Sequence, residues 1–591
     1  MRFQSFVNFL PFWDASNGGG QSQLSISAPS TIYAKPNVVF ILTDDQDLHM
    51  NSLDYTPLIK KHLLDRGTFF KRHFCTIALC CPSRVSLWTG KAAHNTNVTD
   101  VFPPYGGYPK FVSQGLNENF LPLWLQEAGY NTYYTGKLFN AHTTENYYKP
   151  YVNGFTSSDF LLDPYTYQYL NSSFQRNRDP PKYYPGEYST DVLASKAYGF
   201  LDEAAEAKDP FFLVIAPNAP HSNVGWAGDD GDPIGGGTFT LSAPIPAERH
   251  KHLFKDVKVP RHAGFNPEEP SGVSWIRDLK RQSQENVDYN DHFYRNRLRA
   301  LQAVDELVDG VIKKLEHYKL LDNTYIVYST DNGYHIGQHR LQPGKECGFE
   351  EDINIPLIVR GPGVAEGAET ELVTTHTDLA PTFLSLIGAD LRPDFDGSPI
   401  PVHTDSLLAA EKEWHEHVNV EYWGFALGEG QYESGFKYEN NTYKALRVIG
   451  KNYNVYYSVW CSDEHELYDL NRDPHQLNNL LSDHKPRPHK QETILDIPVA
   501  KVAARLDSLL FVLKSCKGER CVKPWAALHP NGDVRTLDDA LSKRYDAFYE
   551  KEQVKIKYNR CEQGYIVDAE GPQFETNGIT YRDGLRWSEW T

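Results

Sequence analysis

The chain of 591 residues carries 77 acidic and 59 basic residues, which gives a formal net charge of −18. No basic run stands out, and this argues against nucleic acid and against an anionic membrane surface as partners. No window approaches the roughly 18 continuous apolar residues of a transmembrane helix, and the length predicts roughly two to four domains.

The N-terminal region, residues 1–34, is predicted to be a flexible lead-in, because residues 14–34 are rich in Gly, Ser and Gln. The apolar stretch at residues 3–13 is interrupted by Asn8 and Pro11 and makes an unconvincing signal peptide. Three N-glycosylation sequons are compatible with a secretory route, and they begin at Asn97, Asn171 and Asn440. We therefore expect a protein that is secreted or otherwise in the secretory pathway.

From residue 37 onward, strand-like and helix-like segments alternate. The run Asn37–Thr43 contains the continuous apolar segment from Val38 to Leu42, as in a strand buried on both faces. The other predicted strands are Thr68–Phe74, Tyr130–Thr135, Phe211–Ala216, Thr324–Ser329 and Ile353–Val359. The predicted helices are Thr56–Arg66, Leu121–Ala128, Arg297–Tyr318 and Asp378–Ile387. This alternation predicts an α/β fold with a large, mixed but mostly parallel sheet flanked by helices.

The pattern changes at about residue 400. Shorter alternating stretches, such as Tyr443–Val448 and Asn454–Trp460, predict an antiparallel sheet in a smaller C-terminal domain. The predicted domains are therefore residues 35–400 and residues 401–591. Within the first, residues 225–297 are Gly- and Pro-rich and poorly periodic, and they are predicted to be loops that shape a substrate pocket.

Polar residues follow three of the predicted strands. Asp44 and Asp45 come directly after the first strand, His221 follows the strand at 211–216, and Asp331 and Asn332 follow the strand at 324–329. Open α/β sheets bind ligands at the carboxyl ends of their strands. Carboxylate and amide oxygens are hard ligands, so the pattern favours calcium or magnesium over zinc.

The eight cysteines include one adjacent pair. Cys516 and Cys521, with four residues between them, predict a local disulfide, and no Cys/His spacing fits a structural zinc site.

The adjacent pair Cys80-Cys81 begins a motif. The motif starts with Cys80-Cys81-Pro82-Ser83-Arg84 and ends with Thr89-Gly90. This segment fits the signature Cys-x-Pro-Ser-Arg followed by x-x-Leu-x-Thr-Gly. The alternative interpretation is a disulfide framework followed by a turn.

Several motifs occur together in one order along the chain and carry a family resemblance. They are Thr43-Asp44-Asp45-Gln46, Cys80 to Arg84, Gly136-Lys137, Ala219-Pro220-His221, Asp331-Asn332-Gly333-Tyr334-His335, Arg360-Gly361-Pro362-Gly363 and the segment from Glu466 to Leu480. With them the chain resembles the type I sulfatases of the alkaline phosphatase superfamily. The long blocks are most similar to secreted fungal arylsulfatases, with a second similarity to N-acetylglucosamine-6-sulfatases. The resemblance implies an alkaline phosphatase-like fold.

The resemblance also implies a set of site residues. One calcium ion would be held by Asp44, Asp45, Asp331 and Asn332 together with an oxygen at position 80. Cys80 would be converted to formylglycine by a formylglycine-generating enzyme, and one hydroxyl of the aldehyde hydrate would attack sulfur while the other allows sulfate to leave by carbon–oxygen cleavage. The remaining implied roles are hydrate binding by Arg84, sulfate binding by Lys137 and Lys345, and assistance to the departing alcohol by Lys345 or His221.

One position departs from the family pattern. Many sulfatases have His two residues after the lysine that matches Lys137, as the base of the second step, and this chain has Phe139. Asn140 or His142 could occupy that space, and His335 is a further candidate.

The predicted function is hydrolysis of sulfate monoesters, of the aryl sulfate type, to a phenol or alcohol and inorganic sulfate. The alternatives are a glycan sulfatase of the N-acetylglucosamine-6-sulfate type, a phosphodiester or phosphonate monoester hydrolase of the same superfamily, and an inactive protein that binds sulfated glycans.

Overall fold

The predicted strand Asn37–Thr43 is confirmed and lies near the centre of the main sheet. The computed structural model describes residues 35–227, 238–410, 414–432, 435–482 and 492–574, so the predicted lead-in at 1–34 lies outside the described residues. In these ranges the main sheet has 11 strands. They are β1 (Asn37–Thr43), β2 (Thr68–Phe74), β3 (Asn131–Lys137), β4 (Ser157–Leu161), β5 (Asn171–Arg176), β6 (Lys182–Pro185), β7 (Phe211–Ala216), β10 (Thr324–Thr330), β11 (Asn354–Ile355), β12 (Leu357–Arg360) and β13 (Ala368–Thr375).

The centre of this sheet is parallel, with antiparallel pairs on both sides of it. The strand order is β11-β2-β12-β10-β1-β7-β3-β4-β5-β6, with β13 beside β2. The pairs β10–β1, β1–β7, β7–β3 and β3–β4 are parallel, whereas β12 runs antiparallel to β10 and β5 antiparallel to β4. The predicted α/β fold with a mixed sheet is thus confirmed.

Helices cover both faces of the main sheet. The helices are α1 (Pro57–Ile59), α2 (Cys80–Thr89), α3 (Ala93–Thr96), α4 (Gly107–Ser113), α5 (Leu121–Glu127), α6 (Ser189–Ala207), α7 (Ser274–Arg277), α8 (Gln284–His317), α9 (Glu350–Ile353), α10 (Leu379–Leu386), α11 (Thr404–Ala410), α12 (Val499–Leu513), α13 (Glu519–Val522), α14 (Pro524–Leu528) and α15 (Leu537–Ala540). On β1, Phe40 packs in a cluster with residues of α2 and α10, and its neighbour Ile41 packs in a second cluster with residues of α6 and α8. This burial on both faces explains the continuous apolar run of the strand.

The predicted antiparallel sheet of the C-terminal region is also confirmed. Strands β14 (His417–Tyr422), β17 (Tyr443–Ile449), β18 (Asn454–Trp460) and β19 (His465–Asp469) form it, all antiparallel. Helix α12 covers one face in a separate apolar cluster. Three two-stranded hairpins complete the described strands: β8 (Asn223–Ala227) with β9 (Thr238–Ser242), β15 (Ala426–Leu427) with β16 (Lys437–Tyr438), and β20 (Thr493–Ile494) with β21 (Ile497–Pro498). The boundary between residues 400 and 401 stays a prediction.

The structure corrects three of the predicted elements. Residues 225–297 contain the hairpin β8–β9 and the first turns of α8, which begins at Gln284 rather than Arg297. The Ser283 side chain caps α8 by accepting a hydrogen bond from the Asn286 amide (3.2 Å). The predicted strand Ile353–Val359 is two short strands on either side of Pro356, because proline has no amide hydrogen for a ladder. Among the described residues, no helix is long and apolar enough to cross a membrane.

Two disulfides lie within the described residues. The predicted pair Cys516–Cys521 is present, and a second pair joins Cys461 to Cys561 across 100 residues of sequence. The other four cysteines, Cys75, Cys80, Cys81 and Cys347, are buried free thiols.

The long-range disulfide should contribute more to stability than the local one, because it restricts a much larger loop in the unfolded chain. Replacing Cys461 and Cys561 by Ser is expected to lower the free energy of unfolding by about 3–4 kcal/mol. Urea unfolding followed by tryptophan fluorescence measures the change. The matched control is the Ser pair at Cys516 and Cys521, which closes a separation of only 5 residues and should cost less. Equal losses would contradict the loop argument.

Candidate active site

Four neighbouring parallel strands deliver the predicted residues to one edge of the main sheet. β10 leads to Asp331 and Asn332, and its neighbour β1 leads to Asp44 and Asp45. β7 leads to His221, and β3 ends in Lys137. All of these side chains are buried. Helix α2, which follows β2, brings Cys80 and Arg84 to the same place, and the loop after β10 brings Lys345.

Three buried carboxylates form the centre of the cluster, and each is paired with a cation. Lys137 Nζ donates to both oxygens of Asp44 at 2.9 and 2.7 Å. Lys345 Nζ donates to Asp45 Oδ2 at 2.7 Å. Arg84 Nε donates to Asp331 Oδ2 at 2.8 Å. Buried charges are stable only when they are paired, and each of the three predicted cations has a carboxylate partner here.

Asn332 completes the oxygen-rich cluster. Its Nδ2 donates to Asp45 Oδ1 (2.8 Å), while its Oδ1 is buried without a hydrogen-bond partner among the described residues. Asp331 Oδ1 accepts from the backbone amides of Asp45 and Asn332, both at 3.0 Å, and this fixes the two strand ends together. Three carboxylates and an unpartnered amide oxygen are a donor set that fits calcium.

The pKa directions in the cluster differ between two neighbouring carboxyl groups, Asp44 and Asp331. Burial raises the pKa of Asp44, the neighbouring Asp331 raises it further, and Lys137 works in the opposite direction. At Asp331 burial opposes ionisation, but Arg84 and Lys137 outweigh it and hold the pKa below its usual value. A divalent cation would allow both carboxyl groups to be ionised together.

Cys80 is the first residue of α2 and faces the carboxylates. Its Sγ lies 3.5 Å from Asp44 Oδ1 and 3.8 Å from Asp45 Oδ1. Burial raises the pKa of the Cys80 thiol well above its usual value. The encoded thiol is therefore protonated near neutral pH and is a poor nucleophile in this position. Helix α2 ends at Gly90, where a positive φ of 67° and the nearby Phe395 ring leave no room for a side chain.

His221 and Lys345 both lie beside Asp45. His221 Nε2 lies 3.4 Å from Lys345 Nζ and 3.5 Å from Asp45 Oδ2. The other ring nitrogen, Nδ1, lies 2.8 Å from the carbonyl oxygen of Ser222. Because a carbonyl only accepts, Nδ1 carries the hydrogen, and Nε2 is left for proton exchange with whatever occupies the site.

Sequence reasoning missed Glu429, a buried residue from the region after residue 400. Its Oε1 lies 2.9 Å from Lys345 Nζ, and its Oε2 accepts from Ser222 Oγ (2.8 Å) and from the Tyr334 hydroxyl (2.9 Å). Burial opposes ionisation of Glu429, but Lys345 and His221 outweigh it and lower its pKa to about 2. Glu429 is thus a second carboxylate partner of Lys345 besides Asp45. No motif surrounds Glu429 that could have indicated this role.

Two further residues of the site were missed. The Tyr167 ring stacks on His221 with 4.0 Å between ring centres, and Lys137 Nζ lies 4.8 Å above the same ring. Arg297, on α8, is fully buried and donates to the backbone oxygen of Asp45. An arginine on the apolar face of a predicted helix was the available signal for the second residue.

The residues proposed to replace the missing histidine lie in different surroundings. Phe139 is buried against Phe111, with 4.6 Å between ring centres, and offers no proton acceptor. His142 packs on Tyr108, and burial lowers its pKa to about 3. Asn140 is tied to the cluster, because its Nδ2 donates to the Tyr167 hydroxyl at 2.7 Å.

His335 has a positioning contact instead of a contact with Cys80. Its Nδ1 lies 2.8 Å from Asp352 Oδ1, and its backbone pairs with Gly344 in both directions. Asp352 Oδ2 in turn accepts from the Cys347 amide at 2.9 Å. His335 therefore anchors the loop that carries Lys345.

The fold matches a solved structure, and the sequence matches two protein families. A protein solved in complex with its substrate D-glucosamine-2-N,6-O-disulfate matches with a TM-score of 0.59 and 22% identity, covering 76% of this chain and 94% of that one. Residues 36–389 match the family described as "Sulfatase", and residues 337–496 match the family described as "N-sulphoglucosamine sulphohydrolase, C-terminal".

Curated relatives agree with these matches. An arylsulfatase of Volvox carteri is 40% identical over 551 residues, covering 90% of this chain and 82% of the relative. An N-acetylglucosamine-6-sulfatase of Homo sapiens is 31% identical over 521 residues, covering 83% of this chain and 86% of the relative. These matches make the chain a sulfuric ester hydrolase. It belongs to the sulfatase family.

Proposed function

We propose that the protein is an arylsulfatase that hydrolyses aryl sulfates to a phenol and inorganic sulfate. The observation that carries the proposal is the arrangement of Lys137, Lys345 and Arg84 around three buried carboxylates and position 80. A sulfate monoester is an anion, and a buried site with several cations compensates its charge when water is excluded.

One calcium ion would be held by Asp44, Asp45, Asp331 and Asn332. Two observations support this assignment. Asn332 Oδ1 has no hydrogen-bond partner among the described residues, and three carboxylates cluster beside it. When bound, the ion would supply positive charge for a sulfuryl oxygen and would lower the pKa of a neighbouring hydroxyl. With the carboxylates neutralised, Lys137 and Lys345 can direct their ammonium groups to the sulfate oxygens.

Position 80 would carry formylglycine, made from Cys80 by a formylglycine-generating enzyme. The aldehyde hydrate supplies a nucleophilic hydroxyl and a second hydroxyl through which sulfate is released. The high pKa of the encoded thiol supports a need for this conversion. Arg84, 2.8 Å from Asp331, is a permanent cation placed four residues along α2, where it can orient the hydrate.

The departing oxygen needs a proton, and His221 is placed to give it. Its Nδ1–H donates to the Ser222 carbonyl, so Nε2 faces the cluster. Lys345 is held between Asp45 and Glu429, and these carboxylates raise its pKa well above the usual value against the effect of burial. We therefore assign proton donation to His221 and sulfate binding to Lys345.

The secretory location stays part of the proposal. Two disulfides support an oxidising compartment. The sequon residue Asn440 is exposed, as a glycosylation site requires.

A comparison of substrates tests the proposed activity. Purified protein is expected to hydrolyse nitrophenyl sulfate and to show only weak hydrolysis of bis(nitrophenyl) phosphate. Both esters carry one negative charge, but the diester has one non-bridging oxygen fewer for Lys137 and Lys345 and a second ester group to accommodate. Release of nitrophenol followed by absorbance measures both rates on the same preparation. A large preference for the phosphodiester would overturn the proposal.

A second candidate substrate is a glycan sulfate. The 31% identity to a human N-acetylglucosamine-6-sulfatase is the observation that favours it. N-acetylglucosamine 6-sulfate offered beside nitrophenyl sulfate distinguishes the two, and a higher kcat/KM for the sugar would replace the phenol as the natural leaving group.

A further inference from the structure

A second cluster of potential metal ligands lies apart from the carboxylate site. Single ligand atoms of His262, Glu351 and His475 all lie within 4.8 Å of one another. These residues come from a loop before α8, from helix α9 and from the segment after β19, so folding alone brings them together. This explains why no Cys/His spacing in the sequence indicates the cluster.

The two outer imidazoles are aligned and accessible. The rings of His262 and His475 stack with 4.1 Å between centres and 10° between planes, and both are partly exposed. His262 Nδ1 accepts a hydrogen bond from the Gly264 amide at 3.1 Å, and metal binding through this atom would displace that bond. Because both rings are partly exposed, an ion could reach them from solvent.

Burial shifts the pKa values of the groups in this cluster. Burial raises the pKa of Glu351 to about 7. Burial also lowers the pKa of His262 to about 4, helped by the positive charges of His475 and His49. The uncharged imidazole is the form that binds metals, and burial favours this form at both His262 and His475.

Two more histidines border the cluster. His339 is buried, and neither of its ring nitrogens has a hydrogen-bond partner among the described residues. The charges of His262 and His475 both act on it. His49 is near enough for its charge to act on Glu351, and its Nε2 contacts Asn354 Oδ1 at 2.9 Å. The His339 ring stacks on Phe349, but its buried nitrogens without hydrogen-bond partners cost free energy.

We propose that His262, Glu351 and His475 form a second metal site, for a divalent transition ion such as zinc. Imidazole nitrogens with a single carboxylate suit zinc, whereas the carboxylate cluster beside Cys80 suits a hard cation. The site joins the loop at residue 262 and the segment at residue 475 to α9. It is therefore expected to be structural and independent of the proposed sulfatase activity.

Zinc binding to the full-length protein tests the proposal. Protein dialysed against calcium-containing buffer free of transition metals is titrated with zinc chloride by calorimetry, and its metal content is measured after dialysis. Wild type should hold one zinc ion per chain and gain thermal stability. His262→Ala and His475→Ala should each weaken zinc binding by more than about tenfold, and the isosteric Glu351→Gln should weaken it while retaining the fold by circular dichroism.

Two controls separate this site from other binding. His252→Ala removes an exposed histidine outside the cluster and should leave zinc binding unchanged. Asp45→Asn alters the proposed calcium site and should also retain the zinc. Zinc binding that survives in both His262→Ala and His475→Ala, or that is lost in Asp45→Asn, would overturn the proposal.

Discussion

A Cys80→Ser variant is expected to lose steady-state hydrolysis of nitrophenyl sulfate by on the order of 10⁴- to 10⁶-fold, the scale on which enzymes respond to removal of a catalytic nucleophile. Serine has one hydroxyl where an aldehyde hydrate has two. Sulfate that reaches this hydroxyl can leave only by attack of water at sulfur, so at most one turnover per chain is expected. Steady-state rates, single-turnover phenol release and the peptide mass over residues 79–90 measure these outcomes.

Cys81→Ser is the matched control for Cys80→Ser. Cys81 is the neighbouring buried free thiol, and its pKa is raised by burial to about 12. It packs in the apolar cluster that also contains Phe40 and Val85, so its variant should keep most of its activity per folded chain. Multiple turnovers by Cys80→Ser, or unmodified Cys80 in the fully active protein, would contradict formylglycine at this position.

The central strands could be predicted closely because burial on both faces produces a local run of apolar residues. β1, β2 and β7 have the predicted bounds. The beginning of α8 could not be predicted, because residues 284–296 intersperse buried Asn290 and Asp291 with apolar positions such as Phe293, and so hide the helical period. At these positions tertiary contacts, and not hydrophobicity, decide which polar residues are buried.

The same distinction applies to the site. Asp44, Asp331 and Cys80 could be found from the sequence because each sits in a motif beside an element end. Glu429 and Tyr167 could not, because they reach the cluster only through tertiary folding, and Glu429 does so from the region after residue 400. The disulfides show the same limit. The local pair Cys516–Cys521 was predictable, whereas Cys461 and Cys561 are 100 residues apart.

Proton donation by His221 should be visible as a dependence on the leaving group. In His221→Gln, kcat for an alkyl sulfate is expected to fall by about 10²- to 10⁴-fold, whereas kcat for nitrophenyl sulfate should fall by less than about tenfold. The reason is that an alkoxide needs a proton as it leaves, and a nitrophenolate is stable without one. Initial rates with both esters, measured on the same preparation, give the two ratios.

Lys345→Met provides the contrast, since Lys345 is assigned to the sulfate group that all substrates share. Its loss of kcat/KM should be similar for the two esters, because the interaction it removes does not change with the leaving group. His317→Gln, an exposed position at the end of α8, is the histidine control and should behave as wild type.

If His221→Gln slowed both esters equally while Lys345→Met slowed the alkyl sulfate selectively, the two roles would have to be exchanged. The contacts favour His221 as the proton donor, because Asp45 and Glu429 hold Lys345 in its charged form. Nε2 of His221, in contrast, faces the cluster and is not tied to the backbone as Nδ1 is.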